Sequence, residues 1–166
     1  MDLILDPPNG VHPLRFGMTF DEAMAAAVPW GEPRTIGPRP GRPTRRAVGS
    51  FDGVGYTAFF DEDGRLHAIE LWRPAEGKST RTRLPRVLFD GHDVFAEPAE
   101  EILRQVRGRG WTVTAPDTES LIVPGISLGF TRQTSQEVPR DADGLPLSFT
   151  SVLVAGADYY GFLTAP

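Results

Sequence analysis

The stretch from Val54 to Trp72 constrains the fold of this chain more than any other. Val54, Tyr56, Ala58 and Phe60 alternate with Gly55, Thr57 and Phe59, and a second strand-like run spans Leu66 to Trp72. Alternation with period two puts successive side chains on opposite faces, so both runs predict strands. Asp61-Glu62-Asp63-Gly64 between them is a turn sequence, and the pair is expected to form an antiparallel hairpin. A third strand near Ala47 to Phe51 is expected to pair with it.

Two helices are legible beside these strands. Thr19-Phe20-Asp21-Glu22 is a capping box, in which the Thr19 hydroxyl accepts from a free backbone N–H and Glu22 reaches back. Phe20, Ala23, Met24, Ala27 and Val28 then follow helical spacing until Pro29 and Gly31 stop it. The second helix begins near Glu97 and Pro98. Its apolar stripe is Ala99, Ile102, Leu103 and Val106, and Gly108 and Gly110 end it. Residues 1–18 read as extended, 32–46 as a loop rich in Pro, Gly and Arg, 73–90 as a connector and 133–147 as a polar loop. Further strands are expected at 111–114, 121–123, 126–130 and 149–154.

The fold class is therefore α+β: two short helices packed on antiparallel sheet, within a single domain over residues 1–166. The order of a helix followed by strands occurs twice, in halves 1–90 and 91–166. Aligning the helices puts Glu22 on Glu100, Met24 on Ile102 and Val28 on Val106. An old duplication accounts for this, and so does the general similarity of capped amphipathic helices.

Composition removes several function classes. The 166 residues include no cysteine, which excludes disulfides, thiolate metal sites, iron–sulfur clusters and thiol nucleophiles. Hydrophobic residues make up 40% and charged residues 23%, which is globular rather than disordered. The formal net charge of −5 argues against nucleic acid as a partner. The N-terminal residues lack a basic signal region and no stretch approaches a membrane span, so the expected location is cytoplasmic, with no membrane partner.

No catalytic constellation is legible. His12, His67 and His92 lie apart without metal-ligand spacing, and no metal site or cofactor is expected. Strict alternation places His67 on the strand face of Ile69 and Leu71. Tested against a calcium loop, Asp61-Glu62-Asp63-Gly64 leaves Phe59 at the first ligand position, and Asp141-Ala142-Asp143-Gly144 leaves Pro139 there. No nucleophile elbow, P-loop or dinucleotide fingerprint occurs. Candidate binding residues remain. Asp61, Glu62 and Asp63 form an acidic turn suited to a basic partner, with Trp72 as an aromatic anchor. Arg39, Arg45 and Arg46, together with Arg42 and Arg83, offer an anion site. A third reading is a hydrolase site of His67, Glu70 and Asp61.

The segment Pro13-Leu14-Arg15-Phe16-Gly17-Met18-Thr19, then Asp21-Glu22 and Trp30-Gly31-Glu32-Pro33, resembles the helix-plus-strands unit of BamE-like and beta-lactamase-inhibitor-like repeats. It is also similar to uncharacterised actinobacterial proteins grouped with immunity proteins. The likeness covers about 20 residues and consists of a turn, a cap and a stop. The chain departs from those families in lacking a lipobox cysteine, a signal peptide and disulfides. The resemblance implies a cytoplasmic protein-binding module, an immunity-type inhibitor of a toxin, with no catalytic residues to carry over. The alternative is a small-molecule or anion-binding domain that uses the sheet face and the arginine loops.

Overall fold

The computed structural model describes residues 2–73, 85–133 and 138–161. In chain order its elements are β1 (Leu3–Asp6), β2 (Gly10–His12), β3 (Leu14–Arg15), α1 (Phe20–Ala26), β4 (Arg34–Ile36), β5 (Arg46–Phe51), β6 (Val54–Phe60), β7 (Leu66–Trp72), β8 (Val87–Phe89), β9 (His92–Asp93), α2 (Ala99–Gly108), β10 (Ser120–Val123), β11 (Leu128–Thr131) and β12 (Ser151–Ala155). The fold is α+β, as the alternating and helical patterns predict.

The larger sheet has seven strands in the order β10-β11-β12-β7-β6-β5-β4, every neighbour antiparallel. The stretch after α1 supplies one half of it and the stretch after α2 the other. In each half the last strand is central, so β7 and β12 meet in the middle. The smaller sheet runs β3-β2-β1-β8-β9. Its β2 packs against β7 and β12.

Register explains the core. One row across the large sheet reads Tyr56, Leu71, Val152, Phe130 and Leu121, and the next reads Ala47, Ala58, Ile69, Val154, Leu128 and Val123. These residues share one apolar cluster with Leu3, Leu5, Val11 and Leu14 of the small sheet and with Ile102, Leu103 and Val106 of α2. Each large apolar side chain buried there contributes about 1.5–3 kcal/mol of burial free energy. Trp30 and Tyr56 lie edge to face in this core, ring centroids 5.2 Å apart.

Local chemistry sets the helix ends. The Glu22 backbone N–H donates to the Thr19 hydroxyl at 3.2 Å, forming half of the expected capping box. The return bond from Glu22 is not made among the described residues. α2 starts at Ala99, with Pro98 one position earlier than expected, as the cap. It closes through Gly110, whose φ of +88° suits glycine; Gly110 N–H donates to the Arg107 carbonyl and Trp111 N–H to the Val106 carbonyl. That bond pair is a Schellman closure.

Several expectations are corrected. Residues 34–36, read as loop, form edge strand β4, because Thr35 finds Ala47 as a partner. Within the stretch read as connector, Val87–Phe89 pairs in parallel with β1. Residues 111–114 are not a strand; Thr114 alone bridges to Ile122. The run 126–130 begins as a 3-10 turn over Pro124–Ile126, and β11 starts only at Leu128.

Candidate functional site

The arginines of the predicted loop converge. Strands β4 and β5 are the legs of a hairpin whose tip, Arg39-Pro40-Gly41-Arg42, is closed by reciprocal backbone bonds: Arg39 N–H to the Arg42 carbonyl at 2.9 Å and Arg42 N–H to the Arg39 carbonyl at 2.8 Å. At the base, Gly37 has a φ of +78°, and a Cβ there would stand 2.6 Å from the Thr44 carbonyl oxygen. Only glycine permits that approach. The hairpin encloses a pocket of about 360 Å³ lined by Arg39, Arg42, Arg45 and Arg46, with Ile36 and Phe59 on its apolar side. Arg45 lies over the Phe20 ring, 4.3 Å from its centroid, which fixes its position against the first turn of α1.

The electrostatics set this hairpin apart. Arg86 pairs with Asp2 at 2.7 Å, Arg109 with Asp90 at 2.6 Å and Arg132 with Asp141 at 3.4 Å. Arg15 pairs with Asp6 and Arg104 with Glu101. Arg65 and Arg140 donate to the carbonyls of Gly17 and Gly144. Arg34, Arg39, Arg42, Arg45 and Arg46 have no carboxylate partner among the described residues, and neither do Arg65, Arg73 and Arg107, but the hairpin gathers four such arginines around one pocket. In a chain of net charge −5 this is a local excess of guanidinium groups around one concavity. Planar guanidiniums gathered this way bind carboxylate or phosphate oxygens in pairs.

The other candidates separate. Asp61 is engaged by its own turn: its Oδ1 accepts from the N–H groups of Asp63 and Arg65, both at 2.9 Å. Asp141 repeats the pattern with Asp143 at 2.9 Å and Leu145 at 3.1 Å. Both Asp-x-Asp-Gly sequences are therefore turn builders. Glu62 and Asp63 remain exposed at the same end of the sheet as the arginines. Trp72 lies at the opposite end of β7, so it does not share a site with the acidic turn. Arg81 and Arg83 fall outside the described residues.

His67, Glu70 and Asp61 form no triad. A β-bulge in β7 sets Leu66, not His67, opposite Phe60, and the His67 ring packs 6.2 Å from that of Tyr159. The strict alternation that places His67 with Ile69 and Leu71 fails at this bulge. The close His–carboxylate pair is elsewhere: His92 Nδ1 lies 2.9 Å from Glu97 Oε1, and this bond holds the Glu97 carboxyl below its usual range. Glu97 Oε2 also accepts from Asp93 N–H, so the pair secures the lead-in to α2. Among the described residues no three His, Asp or Glu side chains converge as a metal site, and no helix is long and apolar enough to cross a membrane. Comparison with protein families, curated proteins and solved structures finds no match for this chain.

Proposed function

We propose that this chain is a non-enzymatic protein-binding module that grips carboxylates of its partner with the arginine hairpin. The observation that carries the reading is the pocket lined by Arg39, Arg42, Arg45 and Arg46, whose guanidiniums lack acidic partners among the described residues while Arg15, Arg86, Arg104, Arg109 and Arg132 each have one. An acidic surface entering the pocket would supply the missing counter-charges. The net charge of −5 favours a protein carboxylate over a nucleic acid, whose long phosphate chain the rest of the surface would repel. An immunity-type role against an acidic toxin domain is the specific form of this proposal, and the likeness of residues 13–33 to immunity-like proteins supports it.

The test is capture from native lysate by the wild-type chain and by an Arg39→Ala/Arg42→Ala/Arg46→Ala variant, at low and moderate salt. The expected result is one stoichiometric partner, weakened by salt and lost with the variant. A partner held equally by the variant contradicts the assignment of the hairpin. A second reading, a site for a free small anion, is favoured by the concavity itself. Calorimetry with pyrophosphate separates the two, because saturable heat without a protein partner supports the second.

A further inference from the structure

The face of the large sheet turned away from the core carries a second, chemically opposite site. Its middle row reads Val48, Thr57, Glu70, Leu153, Gly129 and Ile122 across five strand pairings. The next row includes Gly55, Trp72, Ser151, Thr131 and Ser120. Glycine at 129 leaves room for Tyr160, whose hydroxyl would stand 2.6 Å from a Cβ at that position. Tyr160 thus overhangs a groove of about 240 Å³ bounded by Glu70, Ser120, Thr131, Ser151 and Leu153.

Glu70 is the charged side chain of this lining; no Arg, Lys or His joins it among the described residues. Its carboxylate makes no hydrogen bond or ion pair among the described residues. Ser120, Thr131, Ser151 and Tyr160, which carry hydroxyls and an aromatic ring, line the same groove. A part-buried carboxylate without a counter-charge is unfavourable, and a bound cation offsets that cost. Ammonium is a compact three-proton donor that suits one carboxylate with hydroxyls around it and an aromatic ring above.

We infer that the Glu70 groove binds a small organic ammonium ion, with the carboxylate as counter-ion, the Ser151 and Thr131 hydroxyls as acceptors and Tyr160 as the aromatic wall. Burial already raises the Glu70 carboxyl above its usual range, and a bound cation reverses that shift. The site shares no lining residue with the arginine pocket and does not depend on it.

The experiment is calorimetric titration of the full chain with butylammonium and 1,4-diaminobutane, with butyrate as the anionic control. The amines are expected to bind saturably and butyrate not to. Glu70→Gln should weaken the amines by about tenfold or more, the loss expected when a charge-assisted hydrogen bond is removed, while keeping a cooperative melt. No amine binding, equal binding by Glu70→Gln, or preference for butyrate overturns the inference. If Glu70→Gln does not fold, Leu153→Phe narrows the groove without touching the charge. Weaker amine binding by that variant supports the site, and unchanged binding overturns it.

Discussion

The guanidinium carbon of Arg45 stands 4.3 Å from the centroid of the Phe20 ring, so the arginine hairpin is anchored on the first residue of α1. Phe20 is in turn edge-on to Phe60 at 5.2 Å, which links helix, hairpin and sheet. Arg45→Ala is expected to lower stability by about 0.5–1 kcal/mol through this contact. Arg39→Ala and Arg42→Ala, at the exposed tip, should leave stability within about 0.5 kcal/mol. Urea denaturation of the three variants checks the contrast.

On the outer sheet face Trp72 crosses Gly55 so closely that a Cβ on the glycine would lie 2.0 Å from the indole Cε2. Gly55→Ala is therefore expected to cost about 1–3 kcal/mol by overpacking. Adding Trp72→Ala should recover part of that loss, because the clash is removed. A double-mutant cycle that finds strict additivity would argue against the contact.

Tyr56 is buried between Trp30 and Gly49, and its hydroxyl has no hydrogen-bond partner among the described residues. Removing an unpaired buried hydroxyl removes a desolvation cost. Tyr56→Phe is expected to be neutral or to stabilise by up to about 1 kcal/mol, whereas Tyr56→Ala should cost about 3–5 kcal/mol. Thermal melts of the two variants test this.

Both pH limbs of stability have named sources. Burial, then Tyr159 and Glu70, push the Tyr160 phenol up to about 12 from 10.0. A group with a raised folded pKa stabilises fully below its unfolded value, so stability should fall between about pH 10 and 12, less steeply in Tyr160→Phe. On the acid side, the hydrogen bond from Arg86 lowers the Asp2 carboxyl and that from His92 lowers the Glu97 carboxyl. A lowered carboxylate stabilises above its unfolded value and loses that stabilisation as pH falls through the folded one. Burial of Asp93 acts in the opposite sense. Asp2→Asn and Glu97→Gln should flatten the acid limb of denaturation curves recorded against pH.

What the sequence disclosed tracks how local each interaction is. The hairpin of β6 and β7 and the stripe of α2 are encoded by neighbours, and Ala99, Ile102, Leu103 and Val106 are all buried as the spacing predicts. Strand β8 owes its form to β1, more than 80 positions away in the chain, and no local period reports such a partner. Strand β4 hides among prolines and glycines because three residues with one strand neighbour need little propensity of their own. The candidate arginines were visible as a cluster. Their isolation from acids was not, since pairing depends on where Asp2, Asp6 and Asp90 fall in space. Glu70 had one available signal, a lone acid inside the apolar run Leu66 to Trp72, but its groove needs β10, β11 and Tyr160, which arrive later in the chain.

The arginine pocket is tested most directly by following the arginine Nε–H resonances by NMR during titration with a hexaglutamate peptide. Saturable shifts are expected at Arg39, Arg42, Arg45 and Arg46, shrinking with added salt, and the Arg45 shift should vanish in the Arg39→Ala/Arg42→Ala/Arg46→Ala variant. Absence of shifts at those four arginines, or equal shifts at Arg104 and Arg107 on the exposed face of α2, would contradict the assignment of the pocket.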